Sequence, residues 1–531
     1  MPDHRDPTHI PGPPDVHWST DNVGEALPGV TTPLGWTLWA DAGDRMIRES
    51  MYALGIYNAA ERAQPAELDD RLIQPFHGRV AIRIEWLASV GDRMPGTSGP
   101  EAVTSMLGRV PETLAFHPTT RRYPAIAAKL PYVAATAPRR LRALAPEVHD
   151  WWRRETGTVA AASHPDAVAR FRLAHQRFER VMTLHTMALM SVLTPLLQAV
   201  TALVERTGVG SVGAFSGPGG AEMGIVADIW RASRGRLDLA DVVAAHGYHG
   251  PFEGEISSRV WREDSTPLER IIAGYAAKGD TEDPVLVEAR ARRLLPARQR
   301  ELVAELPRRR RAGGLALLRY AARTLPLRGV GKASFLQALD VARACARQVG
   351  RSLVEAAVLA DPEDVFYLTT AELADPPPDI REVIAERRGY RRAHQHLTLP
   401  GSWRGCPDVH PVEHGSPDGR DARPAILRGI GVSAGVVEGT VRVVTDPSFA
   451  DVEPGEVLVT ATTDPSWASI MFLSSALVVD IGGALSHAAV VARELGIPCV
   501  VNTRTGSRDL RTGDLVRVDG ATGTVELLVP S

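Results

Sequence analysis

The chain has 531 residues, of which 44% are hydrophobic and 23% charged, with a formal net charge of −3. That length exceeds one ordinary core and implies roughly two to four domains of globular composition. The charge balance excludes a global basic field for nucleic acid. Cys345, Cys406 and Cys499 are too scattered for a disulfide framework or a CxxC metal pair and fit a reducing cytoplasm.

Residues 1–16 are polar and proline-rich, lack the apolar run of a secretory signal, and read as a disordered or draped arm. From 17 to 398 the apolar spacing is mostly helical, as in Gly43–Ala60, Pro165–Val204, Pro284–Leu306 and Phe335–Ala357. Pro/Gly-rich breaks such as Ser216–Gly220 separate these segments, and no fixed-period repeat is present. Near the start lie Asn22-Val-Gly-Glu25 and Thr31-Thr32-Pro33. Thr-Thr-Pro is good helix-entry chemistry, so this group reads equally as a cap and as the wall of a site. Trp18, Trp36 and Trp39 have two readings as well: core residues, or the lining of an apolar pocket.

Val181–Val204 contains no Asp, Glu, Lys or Arg and has the length of a membrane span. It also carries His185, several Thr and Ser, Gln198 and a mid-run Pro195, all costly in lipid. The expectation is a buried helix, or two helices broken at Pro195. The stretch His246–Arg259 gathers His246, His249, Glu253, Glu255 and Arg259 in a Gly-rich setting. Such a cluster fits a site, or a polar loop of surface ion pairs. The run Arg308–Arg311 reads as a solvated helix end or a basic docking surface.

Residues 399–425 are dense in Pro and Gly and read as a linker with little regular structure. Beyond it, 426–531 is expected to form a compact α/β domain. Strands are expected at Gly439–Val444, Glu456–Thr460, Ala476–Val479, Cys499–Asn502 and Leu515–Val518, and helices at Ser466–Leu473 and His487–Leu495. There a buried-type strand runs into Gly482-Gly483, Ser486 is placed to cap a helix, and His487 opens it. Free N–H groups and the positive helix end favour an anion at the imidazole and keep the ring neutral and nucleophilic. Chemistry alone leaves two readings of His487, a phosphoryl carrier or a packing histidine.

The segment GGALSHAAVVARELGIPCVV resembles the phosphohistidine motif of enzymes related to phosphoenolpyruvate synthase and pyruvate phosphate dikinase. Gly429–Val444, TDPSWASIMFLSSALVVDIGG and DLVRVDGATGTVEL resemble the start, middle and end of the same swivelling domain. The resemblance implies that His487 is phosphorylated, supported by Gly482, Gly483 and Ser486. Ala484-Leu485 departs from the polar residue that many relatives carry there. Trp18–Trp39, His246–Asp264 and Asp361–Leu373 are similar to segments of rifampin phosphotransferases. This implies a multidomain protein: a mainly α-helical acceptor-binding domain followed by the mobile α/β domain. By the same resemblance Glu255, His246 and His249 are catalytic, and Asn22, Glu25, Thr32, Trp36 and Arg259 bind substrate. His249 stands where relatives often have arginine.

The relatives also carry an ATP-grasp domain, and the dikinases a phosphoenolpyruvate barrel; neither is recognisable in these residues. The expectation is a phosphotransferase component with no intrinsic cofactor or metal, loaded on His487 by a separate ATP-grasp protein that holds Mg-ATP. The phosphoryl group would then pass to a hydroxylated small molecule in the cytoplasm, without nucleic acid or membrane as partner. Two alternatives are a phosphorylation-driven dehydratase or cyclase, and a non-catalytic binding protein of the same fold.

Overall fold

The structure is a computed structural model that describes all residues except 1–5, 21–22, 28, 108, 211, 216–220, 281–282, 412–423, 445–451, 464–466 and 484–485. In chain order its helices include α1 (Pro33–Ala53), α2 (Tyr123–Thr158), α3 (His164–Ala188), α4 (Thr194–Thr207), α5 (Ala221–Ser233), α6 (Leu239–His246), α7 (Thr266–Ala276), α8 (Pro284–Ala304), α9 (Arg308–Thr324), α10 (Leu327–Glu355) and α11 (His487–Leu495). The chain divides into two compact units. One holds Met1–Ser191, Gly254–Ser258 and Gly331–Pro417; the other holds Val192–Glu253, Arg259–Val330 and Asp418–Ser531.

In the first unit, strands β1 (His17–Ser19), β2 (Ile73–Phe76), β3 (Arg79–Arg83) and β4 (Ser402–Arg404) form a sheet in the order β2-β3-β1-β4. Trp18 pairs with Arg83 on one side and Trp403 on the other and is fully buried. The expected unstructured linker is therefore corrected at its start: β4 belongs to the sheet because the Trp403 ring packs edge-on to Phe76, with centroids 5.1 Å apart. Residues 412–423 of that linker lie outside the described residues. The N-terminal arm is fastened by Ile10 N–H to the Pro75 carbonyl at 3.1 Å and by Gly78 N–H to the Thr8 carbonyl at 2.8 Å. Behind it His9 stacks on His77 with centroids 4.0 Å apart, and His77 meets the His394 ring at 5.2 Å.

Helix α1 begins as the sequence suggests. Thr32 is the N-cap, its hydroxyl accepting from Gly35 N–H at 3.2 Å, and Pro33 opens the helix. The helix packs along α3, where the Trp39 and Phe178 rings meet edge to face at 4.9 Å. Trp36 and Trp39 are buried with Trp18, as core tryptophans are. The run His164–Thr207 is long and apolar enough to cross a bilayer by length and composition. A π turn at Leu189–Leu193 separates α3 from α4, Pro195 sits in the first turn of α4, and Val181, Met182, Leu193 and Val200 are buried in protein.

In the second unit an eight-stranded sheet is built from β5 (Ile426–Arg428), β6 (Ile430–Ser433), β7 (Val436–Val443), β8 (Val457–Thr460), β9 (Ala476–Val479), β10 (Cys499–Val501), β11 (Leu515–Asp519) and β12 (Thr524–Val529). Its order is β5-β12-β11-β7-β8-β9-β10-β6. The segment β7-β8-β9-β10 is parallel, and β9 is buried along its whole length, as a central parallel strand must be. The sheet shares a core with helices upstream. Ile229 and Trp230 of α5 and Leu268 and Tyr275 of α7 cluster with Leu477, Val479, Ala488 and Val491. The stretch 17–398, expected as one acceptor domain, is thus divided between the two units. Periodicity reveals that α5 and α7 have apolar faces but not which surface covers them. Arg308–Arg311 form the exposed first turn of α9, a solvated helix end.

Candidate functional site

Strand β9 ends at Asp480, and the turn that follows leads to α11. Gly482 has φ +150°, and a Cβ there would lie 3.0 Å from the Ser486 hydroxyl, so both space and backbone favour glycine. Ser486 is the N-cap, its side chain accepting from Ala489 N–H at 3.3 Å. His487 is the first helical residue. The side chains of His487 and Glu25, and the whole of Asn22, Ala484 and Leu485, lie outside the described residues. Gly496 closes α11 in the left-handed conformation at φ 71°.

Two features anchor this segment at its two ends. The buried Asp480 carboxylate accepts from the Thr503 hydroxyl at 2.8 Å, from Ser507 N–H at 3.1 Å and from the Ser507 hydroxyl. It ties the end of β9 to the loop after β10, at the carboxyl edge of the parallel strands where α/β sheets bind ligands. At the far end of α11, Arg493 donates from Nε to the Val432 carbonyl at 2.7 Å. Burial lowers its pKa, and the nearby Arg328 guanidinium lowers it further. Beside the strand ends, the buried Thr462 hydroxyl has no hydrogen-bond partner among the described residues. Asp480 was not legible as a site residue, because it meets Thr503 and Ser507 only through the sheet's parallel register.

In the same unit, His246 ends α6 and pairs through Nε2 with Asp228 of α5 at 2.9 Å. The bond from His246 holds the Asp228 carboxyl below its usual range. His246 Nδ1 is buried without a hydrogen-bond partner among the described residues. His249 and Glu253 are both buried and joined by a short hydrogen bond. Their loop is closed by Trp261 N–H to the His249 carbonyl at 2.7 Å and Arg262 N–H to the Gly247 carbonyl at 2.9 Å. Arg259 is exposed. Asp228 was missed from sequence because it lies on another helix, 18 residues from His246.

In the first unit Glu255 is 6% exposed. Its carboxylate accepts from the Thr32 hydroxyl at 2.7 Å, Thr32 N–H at 3.2 Å and Ser257 N–H at 3.0 Å. Trp39 Nε1–H reaches the Gly254 carbonyl at 3.0 Å. Arg343 of α10 grips the same segment, donating to the carbonyls of Glu255 at 3.1 Å and Ile256 at 3.2 Å; Arg347 donates to that of Ser257 at 2.8 Å. The structure therefore joins Thr32 to Glu255 and buries Trp36. A signal for the arginines existed: Asp340, Arg343 and Arg347 share a face of a largely apolar helix.

Residues 452–523 match the family model of the PEP-utilising enzyme mobile domain, and residues 234–328 that of the rifampicin phosphotransferase fourth domain. The chain is similar to an uncharacterized protein of Mycobacterium tuberculosis, 36% identical over 286 residues, covering 53% of this chain and 30% of that one. It is also similar to rifampicin phosphotransferases of a Streptomyces species, 41% identical over 180 residues, and of Bacillus subtilis, 34% identical over 179; each match covers 33% of this chain and 20% of the relative. The chain thus spans less than a third of the length of these relatives. In these parts the chain is similar to the rifampicin phosphotransferase fourth domain, to the mobile domain of the PEP-utilising enzymes, and to proteins named as phosphotransferases.

Proposed function

We propose that the protein is a cytoplasmic phosphotransferase component in which His487 carries a phosphoryl group and passes it to a hydroxyl of a small-molecule acceptor. The observation that carries this reading is the start of α11: a Gly-Gly turn after a buried strand, the Ser486 cap, and His487 as the first helical residue. There the helix dipole and first-turn N–H groups attract the phosphoryl oxygens and disfavour the imidazolium. Loading is assigned to a separate ATP-grasp protein that holds Mg-ATP. A ring nitrogen of His487 attacks phosphorus, and the phosphoanhydride P–O bond breaks as the P–N bond forms.

In transfer, the acceptor oxygen attacks phosphorus, the P–N bond breaks, and the hydroxyl proton goes to a base. We assign that base to His246. Asp228 orients its ring, and Nδ1 is uncommitted among the described residues. Arg259 supplies an exposed cation for the phosphoryl oxygens. The Glu255 carboxylate is committed to Thr32 and Ser257, which suits it to positioning.

The test uses the full chain, candidate ATP-grasp proteins and ATP labelled in its β- and γ-phosphates. Acid-labile label is expected on the wild type and not on His487→Ala. Equal label on both sinks the reading.

A further inference from the structure

The first unit contains a groove away from the residues discussed so far. Two adjoining cavities of about 420 and 480 Å³ lie between α1, α2 and α3 and share Arg140 and Met187. Drug-sized ligands occupy pockets of roughly 300–1,000 Å³. The groove's origin is written in α2, whose interior holds Pro131, Pro138 and Pro146. Each lacks an N–H and interrupts the helical ladder, and the groove is lined by α2 residues from Ala128 to Glu147, the stretch containing those prolines. The π turn at Leu189–Leu193 begins two residues beyond Met187.

The floor is apolar, with Val133, Ala137, Leu144, Leu184 and Met187. The rim is charged, and its charges are unevenly committed. Glu49 is held by Arg62 at 2.8 Å, Glu147 by Arg177 at 3.5 Å and Glu179 by Arg45 at 3.5 Å. Lys129 donates to the Tyr52 carbonyl at 3.0 Å and lies over the Tyr52 ring. Arg140 and Arg180 have no hydrogen-bond or ion-pair partner among the described residues. Each lining carboxylate is thus neutralised from outside the groove, while two guanidinium groups on its rim are uncommitted. Exposed Tyr132 adds an aromatic face at the mouth.

We propose that this groove binds an amphipathic small-molecule anion, its apolar body on Val133, Ala137, Leu184 and Met187 and its anionic head between Arg140 and Arg180. Guanidinium forks suit a carboxylate, sulfonate or phosphate head, and the apolar floor suits a fused-ring or branched hydrocarbon body. The site is distinct from Glu255. Thr32 and Glu49 lie near opposite ends of α1, about 26 Å apart at 1.5 Å per residue. Binding here does not depend on the phosphotransfer reading.

The probe is 8-anilinonaphthalene-1-sulfonate, an apolar ring system with one anionic head, titrated into the full chain by fluorescence and calorimetry. One molecule per chain is expected. Arg140→Glu/Arg180→Glu, at two exposed positions, should weaken it at least tenfold, and Thr136→Trp should block it. His487→Ala should bind like wild type. Neutral N-phenyl-1-naphthylamine should still bind the double variant, which separates the charge contribution from the apolar one. Circular dichroism confirms that each variant is folded. Anilinonaphthalenesulfonate affinity unchanged in the charge-reversed protein overturns the proposal, as does an equal loss of the neutral probe on charge reversal.

Discussion

The Thr32 hydroxyl makes two bonds at once: it accepts from Gly35 N–H at 3.2 Å and donates to the Glu255 carboxylate at 2.7 Å. One side chain therefore starts α1 and anchors a segment more than two hundred residues later. Thr32→Ala removes both bonds and leaves a buried carboxylate short of a donor. A loss of about 2–4 kcal/mol is expected in urea unfolding. Thr32→Ser keeps the hydroxyl and should lose less than about 1 kcal/mol.

Gly35 gives an inverted-sign test of the same clamp. Within a helix, Gly→Ala ordinarily stabilises by about 1 kcal/mol. Here a Cβ would lie 2.8 Å from both Glu255 Oε2 and Thr31 Oγ1. Gly35→Ala is therefore expected to destabilise, read as a lower urea midpoint with an unchanged slope.

Ser486 separates helix capping from phosphoryl chemistry. Ser486→Ala should cost about 1 kcal/mol through the lost cap. Ser486→Asp keeps a capping oxygen but places a negative charge beside His487. Its stability should match wild type while acid-labile phosphorylation falls at least tenfold. Equal labelling of Ser486→Asp and wild type would count against an anion seat at this helix start.

Asp228 is read as a positioning residue. Asp228→Asn keeps the shape but replaces the carboxylate that meets His246 Nε2 at 2.9 Å with an amide, and so loosens the orientation of the ring. The rate of acceptor phosphorylation should fall while loading of His487 is unchanged. A loss of loading as large as the loss of transfer would point to a structural role instead.

The N-terminal clasp predicts a pH dependence. Burial pushes His77 from near 6.5 down to about 4, with His9, His394 and Arg79 adding repulsion and Asp6 opposing it. Above pH 6.5 the ring is neutral in both folded and unfolded chains and contributes nothing. As pH falls from about 6.5 to 4 the unfolded chain takes up the proton and the folded chain resists it, so stability declines. His77 has φ 46°, which asparagine tolerates better than most residues. His77→Asn should show a shallower decline in urea midpoint between pH 7.5 and pH 4.5. An identical decline refutes the assignment.

Much of the C-terminal domain was legible because its signals are local. β9 spans Ala476–Val479 and α11 spans His487–Leu495, as the apolar runs and the Ser-His and Gly-Ile-Pro boundaries indicate. The entry into α1 was equally plain, since Thr-Thr-Pro carries its own cap. Two other features were misread for one reason. β4 looked like linker because Pro and Gly surround Trp403, whose burial against Phe76 depends on a strand far away in sequence. The 17–398 stretch looked like one domain because helical periodicity records an apolar face without naming its partner.

The sequence by itself therefore determined where helices and strands begin, which side of each is apolar, and that His487 opens a capped helix. Caps, glycines and periodicity act within a few residues and are written in order along the chain. Tertiary structure alone decided that Asp228 meets His246, that Glu255 is tied to Thr32, and that Arg140 and Arg180 face an apolar groove. These juxtapositions come from helix packing and close chain segments far apart in sequence, and no local pattern encodes which distant carboxylate a given side chain will find.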